Sequence, residues 1–279
     1  MLIPSLPVHI PRAWTRLRVS KPHRLLGCLL LLTAAFAGCR TLPPLESPYA
    51  SRRVWAALPV LNQSGSAHPD GLKLADDLLR QLESATNIDT LPLNQTLAAM
   101  EQLQLASINS PQDAQRVLEQ LGADGLIAAV VTAYDPYDPP KLGLTLELYV
   151  PRRAMAQDAL DLRKLTTAPT DPTGHASGYP ELAQVRFASP SQAAAGLPIT
   201  TVSAILDASQ PDVADWLNLY SQSRSMESER QDAWHRYRLS MDLYSDFASY
   251  VMSWRLLQAE RERLRRLASP LGARPSPSP

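Results

Sequence analysis

The sequence predicts an α/β fold, a small mixed sheet with helices packed on it, followed by a long C-terminal amphipathic helix. Three observations predict it. Between residues 53 and 150, apolar runs of strand length alternate with segments of helical period, the pattern of layered α/β domains. One run, residues 125–134, is apolar throughout, as in a strand covered on both faces. Residues 231–268 hold neither proline nor glycine and repeat aromatic residues at helical spacing.

Residues 54–61 read as a buried strand, ended by the turn residues Asn62, Gln63, Ser64 and Gly65. A helix is expected over 71–85, because Ala75, Leu78, Leu79 and Leu82 share one face. Asp76 and Asp77 then fall on its solvent side, where they also complement the helix dipole. Residues 88–93 form a short second strand. A helix over 94–105 follows, with Asn94 as its cap. The third helix opens at Ser110-Pro111 and closes at Gly122, a cap and a proline at one end and a glycine at the other. After the strand at 125–134, Asp135-Pro-Tyr-Asp-Pro-Pro140 makes a turn into residues 142–150. There Leu142, Leu144, Leu146 and Leu148 alternate with smaller or polar residues, so one face is buried.

Residues 151–198 carry many Pro, Gly, Ser and Ala residues and read as an irregular insertion, from which Leu160, Leu162 and Leu165 can dock on the sheet. Strand character returns at 199–206, and a helix over 211–223 places Val213, Trp216, Leu217 and Tyr220 on one face. The α/β domain thus spans 53–223, the long helix 231–268, and a Pro- and Ser-rich disordered tail 269–279. On the long helix, Trp234, Tyr237, Tyr244, Phe247, Tyr250 and Trp254 fall on two adjacent stripes. That face has two readings: core packed on the sheet, or a surface for a partner or a second copy.

The first 38 residues have their own pattern. Arg12, Arg16, Arg18, Lys21 and Arg24 precede an apolar run over 25–36, and small residues follow. Basic, apolar, small is the order of a secretory signal, and the run is shorter than the ~20 residues that span a bilayer. Phe36-Ala37-Gly38-Cys39 resembles the lipobox of bacterial lipoprotein precursors, with Phe where that motif usually has Leu. The resemblance implies cleavage before Cys39, lipid on its thiol, and, with Arg40 next, an outer-membrane address facing the periplasm. The other reading of Cys39 is a free thiol after an ordinary signal peptide. Several acyl chains at ~0.8 kcal/mol per buried methylene would hold the membrane firmly. The Pro-rich residues 39–52 read as a short tether of roughly 40 Å at most, at ~3.1 Å per residue. Cys28 lies inside the leader, so the mature chain would keep no free thiol for disulfide, zinc or nucleophile.

The order Leu58-Pro59-Val60-Leu61-Asn62-Gln63-Ser64-Gly65, then Leu74-Ala75-Asp76-Asp77-Leu78-Leu79, then Leu118-Glu119-Gln120-Leu121-Gly122-Ala123-Asp124-Gly125-Leu126-Ile127 looks like the small α/β domain of curli-secretion (CsgG-like) lipoproteins. It also resembles the TolB amino-terminal domain and the lipoprotein activators of peptidoglycan synthases. The match covers residues 53–150, and the whole layout resembles other envelope lipoproteins. These families imply a non-catalytic assembly or docking module of the periplasm. The chain departs from each relative. Residues 152–198 lack the alternation that lines a pore, and 40–52 are too short to reach through the cell wall.

For chemistry the chain offers little. Its five histidines, His9, His23, His68, His175 and His235, stand apart, with no metal-ligand pair. No nucleophile elbow or phosphate loop occurs. Asp135 and Asp138 are the nearest thing to paired carboxylates, and turn chemistry also accounts for them. Asn62, Ser64 and Gly65 lie at a strand end, where open sheets bind ligands, and a tight turn is the other reading. With the basic leader removed the body is mildly acidic, which gives nucleic acid no electrostatic footing. The sequence therefore predicts a lipid-anchored docking module that meets the membrane and another envelope protein or itself, with no enzyme activity, cofactor or metal. A secretion-channel-related subunit and a small-ligand binder using the strand-end turns are the alternatives.

Overall fold

The computed structural model describes residues 41–151 and 183–268. Seven strands form one mixed sheet: β1 (Arg53–Ala57), β2 (Leu61–Asn62), β3 (Ile88–Thr90), β4 (Gly125–Asp135), β5 (Lys141–Tyr149), β6 (Gln184–Phe187) and β7 (Thr200–Asp207). Their order is β3-β1-β4-β5-β7-β6, with β2 also paired to β4. The β1–β3, β1–β4 and β2–β4 pairings are parallel; from β4 across β5 and β7 to β6 they are antiparallel. The helices are α1 (Gly71–Glu83), α2 (Leu93–Gln102), α3 (Pro111–Leu121), α4 (Pro190–Ala194), α5 (Pro211–Arg224), α6 (Arg230–Leu239) and α7 (Met241–Ala268). A mixed sheet with helices on it is the expected fold class.

The sheet separates two apolar cores. On one side, Ala99 and Met100 of α2 and Ala114, Val117 and Leu118 of α3 pack on Ala56, Leu126 and Tyr149. On the other, α1 and α7 cover the leucines of β5 and Val202 and Leu206 of β7. Local signals explain most helix ends. Asp70 Oδ1 accepts from the backbone N–H groups of Leu72 and Lys73 at 3.0 and 3.1 Å, capping α1. Ser110 caps α3, Pro111 takes its first turn, and Gly122 closes it at φ 63°, a left-handed angle that glycine adopts freely.

Five expectations change. The first predicted strand is two pieces: Pro59 has no N–H to give the ladder, and Val60 N–H donates instead to Gly71 O at 3.0 Å. The second helix starts at Leu93 behind Pro92, so Asn94 sits inside the first turn and is not the cap. Part of the expected irregular insertion is ordered as β6 and α4, the latter opened by a capping box between Ser189 and Gln192. Leu160, Leu162 and Leu165, like the leader, Cys39 and the tail at 269–279, lie outside the described residues.

The long C-terminal helix is broken at Ser240. Its carbonyl accepts from Tyr244 N–H at 2.9 Å and its hydroxyl from Leu243 N–H at 3.4 Å, so α7 is capped as a separate helix. The 28 residues of α7 span about 42 Å. It is buried on nearly every side from Tyr244 to Leu257, because the sheet lies on one side and an outer layer on the other. In that outer layer Trp216 and Tyr220 of α5 stack on Tyr250 and Trp254, with centroids 5.1 Å apart for the Trp216–Trp254 and Tyr220–Tyr250 pairs.

The expected tether is also part of the fold. From Leu42 to Arg52 the chain lies as a strap along α7. Leu45 is buried, Tyr250 donates its hydroxyl to Pro43 O, and Glu46 bridges to Thr86. Tyr49 donates to Glu260 Oε2 at 2.8 Å, and Arg261 reaches Glu46 Oε2 at 3.3 Å. Three prolines and two serines between residues 42 and 52 suit a strap as well as a tether; side chains at distant positions decide between them.

Candidate functional site

The strand-end residues turn inward on their own backbone. Asn62 Oδ1 accepts from the Ser64 N–H and hydroxyl at 3.0 and 2.8 Å, and Asn62 Nδ2 donates to Ser66 O at 2.7 Å. Gly65 sits at φ 78°, which a side chain would strain. Asp135 accepts from Tyr137 N–H at 3.1 Å, an Asx turn, and Asp138 pairs with Arg238 of α6 at 2.6 Å. The two carboxylates therefore face different partners, and the Asn62 turn has its polar groups engaged locally. Among the described residues no cluster of His, Cys, Asp or Glu has the makings of a metal site.

The six aromatic candidates divide. Tyr237, Tyr244, Phe247, Tyr250 and Trp254 are core, between 0 and 7% exposed, because the outer layer closes over the stripe that the sheet leaves uncovered. Burial, reinforced by the Asp246 carboxylate that accepts its proton at 2.6 Å, drives the Tyr220 hydroxyl far above the ordinary tyrosine range. Burial does the same to Tyr244. Only Trp234 of the six keeps a surface, at 38% exposure, with the Arg238 guanidinium 5.2 Å from its ring centre.

Two carboxylates are inside, one of them, Asp77, expected on the solvent side of its helix. Asp77 is 2% exposed and holds Lys73 at 3.0 Å and Arg80, while its neighbour Asp76 faces solvent. Glu260 is fully buried on α7. It accepts from Arg263 at 2.9 to 3.1 Å, from Tyr49, and from the Thr200 hydroxyl of β7. This carboxylate joins strap, helix and sheet at one point. Arg263 is three residues along the same helix, but the partners that enclose the carboxylate from strap and sheet lie 211 and 60 residues away, so no local signal marks its burial.

A cleft of about 1040 Å³ opens where β6 stops short along β7. Thr145, Ser203, Phe187, Arg255, Gln258 and Arg266 are among the residues lining it. The Thr145 and Ser203 hydroxyls bond each other, and Arg266 lies 4.8 Å from the centre of the Phe187 ring and 2.8 Å from Glu262. These groups suit hydrogen bonding to a polar ligand; they hold no nucleophile beside a base.

No protein-family model matches the chain, and no curated protein matches it. Several solved structures are similar to parts of it. The LpoB C-terminal domain from Salmonella enterica is 17% identical over 37% of this chain and 74% of that one, with a TM-score of 0.31. Lipoprotein GNA1162 from Neisseria meningitidis is 16% identical over 35% and 69%, at 0.29. A PelC dodecamer from Paraburkholderia phytofirmans is 10% identical over 79% and 94%, at 0.31. Overlaps of that extent carry no argument about what this chain does.

Proposed function

We propose that this chain is a lipid-anchored envelope lipoprotein of the outer membrane, facing the periplasm, and a non-enzymatic docking module for another envelope protein or a second copy. The observation that carries this reading is the join between leader and fold. Basic residues, an apolar run and Ala37-Gly38 lead to Cys39, and only Arg40 and Thr41 separate Cys39 from Leu42, where the strap begins to pack on the core. A peptide linkage of three residues reaches at most ~10 Å. An anchor there would hold the domain close to the bilayer, with the strap bonded to α7 at Tyr250, Glu260 and Arg261 to resist being pulled free. The resemblance of residues 53–150 to domains of envelope lipoproteins supports the same reading. So does the state of the strand-end turns, whose polar groups are spent on their own backbone and on Arg238.

Metabolic labelling with a radioactive fatty acid tests it. The wild-type chain is expected to take up label and sediment with outer membranes, and Cys39→Ser to lose both. Equal labelling of the two, or a wild-type chain free in the periplasm, overturns the anchor. Crosslinking in whole cells addresses docking, which repeated recovery of an uncrosslinked monomer overturns. The cleft beside β6 favours one competing reading, a small polar ligand; a ligand that raises thermal stability in wild type and not in Arg266→Ala would establish it.

A further inference from the structure

The two faces of the sheet are covered unequally. On β5, Thr145 and Glu147 alternate with the leucines that α7 covers, so they share the face of Tyr149, on which α2 and α3 pack. Register carries that face outward. Thr145 pairs with Ser203 of β7 and Ser203 with Gln184 of β6; Glu147 pairs with Thr201 and Thr201 with Arg186. One step along, Gly143 pairs with Ile205, which is 56% exposed. The strand residues that pack on α2 and α3 are Ala56, Leu126, Ala128 and Tyr149, none of them on β7 or β6. Among the described residues, no helix lies on the rest of this face. Two charges stand there in one row, Glu147 on β5 and Arg186 on β6, one strand to either side of Thr201. They are two strands, roughly 10 Å, apart and are not bonded to each other. Glu147 takes the Tyr149 hydroxyl at 2.9 Å, and the exposed Arg186 makes no ion pair among the described residues. We propose that a second copy of this chain packs on that face, sheet against sheet, about a two-fold axis that runs along β7.

Charge and symmetry together select the occupant and the axis. In a closed homodimer the same patch serves both copies, so it must complement itself. A half-turn about a line along β7 exchanges the positions of β5 and β6 and keeps every row at its own level. Glu147 of one copy then stands over Arg186 of the other, and the reverse pair forms beside it. Thr145 meets Gln184, and Ile205, Ser203 and Thr201 each meet their own counterpart. An axis along β5 would set Glu147 against Glu147, and an axis along β6 would set Arg186 against Arg186. Facing sheets in aligned packings lie ~10 Å apart, a gap that a Glu and an Arg span together. α2 and α3 do not obstruct, because they lie over β1 and β4, which the second sheet leaves uncovered in this arrangement. The overlap is three strands wide, short of the roughly 800 Å² per partner of a stable complex. Pairing is therefore weak in dilute solution and favoured where copies are crowded on one surface. The inference names the second copy among the partners proposed above and rests on that docking reading.

The chain from Cys39 to Pro279, whose only thiol is Cys39, is coupled to vesicles bearing a maleimide lipid, which crowds it without native acylation. The photo-crosslinker p-benzoylphenylalanine in place of Ile205 then reports what lies on the axis. A covalent dimer is expected, and none when the crosslinker replaces Met226, which is 76% exposed after α5. Glu147→Arg and Arg186→Glu, each alone, set like charges together twice and should lower the yield on the order of tenfold. Mixed on one vesicle, the two variants should regain it, since each supplies the charge that the other lacks. A chain damaged in folding would not be rescued in this way. No dimer from position 205, or single variants that crosslink as well as wild type, overturns the proposal. A mixed pair as poor as the singles overturns it too. Loss of fatty-acid labelling at Cys39 in cells, with the dimer intact on vesicles, removes the native anchor and leaves the paired face standing. A crosslink to another protein in whole cells, with no dimer on vesicles, sinks the face and keeps the docking reading.

Discussion

Replacing Glu260 by leucine removes an acceptor from three donors at once. The carboxylate is fully buried, and Arg263, whose side chain is 9% exposed, has its guanidinium on both oxygens; Tyr49 and Thr200 give their hydroxyls to the same group. Breaking a buried ion pair on one side leaves an uncompensated charge and typically destabilises by about 3–5 kcal/mol. The two hydroxyl bonds to a charged acceptor add ~1.5–3 kcal/mol each. Burying a leucine returns ~1.5–3 kcal/mol, and Arg263 can turn toward the water it already touches. With Arg263 relieved in that way, the loss falls at the low end of the sum of these terms, about 3 kcal/mol. Urea unfolding followed by circular dichroism would show this as a midpoint lowered by on the order of 1–2 M. The diagnostic measurement is the double replacement Glu260→Leu with Arg263→Met. Without a buried guanidinium to strand, it should be more stable than Glu260→Leu alone. A single variant within about 1 kcal/mol of wild type, or a double variant equal to the sum of the singles, refutes the reasoning.

Three further outcomes follow from the same contacts. Tyr49→Phe should cost about 1–2 kcal/mol and, more tellingly, speed proteolytic cleavage within residues 42–52, because the strap loses its bond to Glu260; unchanged cleavage would place the strap's hold elsewhere. Gly71→Ala should destabilise by roughly 2–4 kcal/mol, since a Cβ there would stand 2.1 Å from the Val60 carbonyl oxygen, which is backbone and cannot turn away. In alkali, Tyr149, Tyr220 and Tyr244 should make the protein labile. Burial raises all three hydroxyls above the ordinary value, so above pH ~10 the unfolded chain ionises while the folded chain holds its protons, and stability falls as pH rises. Absorbance at 295 nm should show these phenols titrating only with unfolding, and Tyr244→Phe should shallow the pH dependence.

The elements that were legible in the sequence are those whose cause is local. In α3 the cap Ser110, the proline at the first helical position and the left-handed Gly122 act within a turn of each other, and the helix begins and ends where they stand. The alternation of β5 and the unbroken apolar run of β4 likewise record which faces the sheet buries. The Ser189-Pro190 start of α4 with Gln192 was readable by the same rule, although the glycine- and proline-rich surroundings hid it. Asn94 misled because a capping residue type beside Pro92 looks like a helix start, whereas proline's fixed backbone already ends the extended segment and Leu93 begins the helix.

What was not legible is long-range. Helical period put Asp76 and Asp77 together on a wet face, but α7 crosses there, and only Asp77 is enclosed, held by Lys73 and Arg80. Ser240 sits in a stretch free of proline and glycine, yet its hydroxyl and carbonyl cap a new helix. The candidate residues show the same division. The turns at Asn62 and Asp135 were readable as turns, while the burial of five aromatic side chains depended on an outer layer that α5 and α6 build across the chain.

By itself, then, the sequence determined the alternation of strands and helices, the capping of α3 and the buried face of β5, because each is written within a few residues. Only the tertiary structure decided that residues 42–52 are a strap and not a free tether, that Glu260 is a buried junction, that α7 is enclosed on nearly every side, and that Trp234 is left outside. These depend on which distant side chains meet, and a contact between Tyr49 and Glu260 leaves no trace in the residues beside either one.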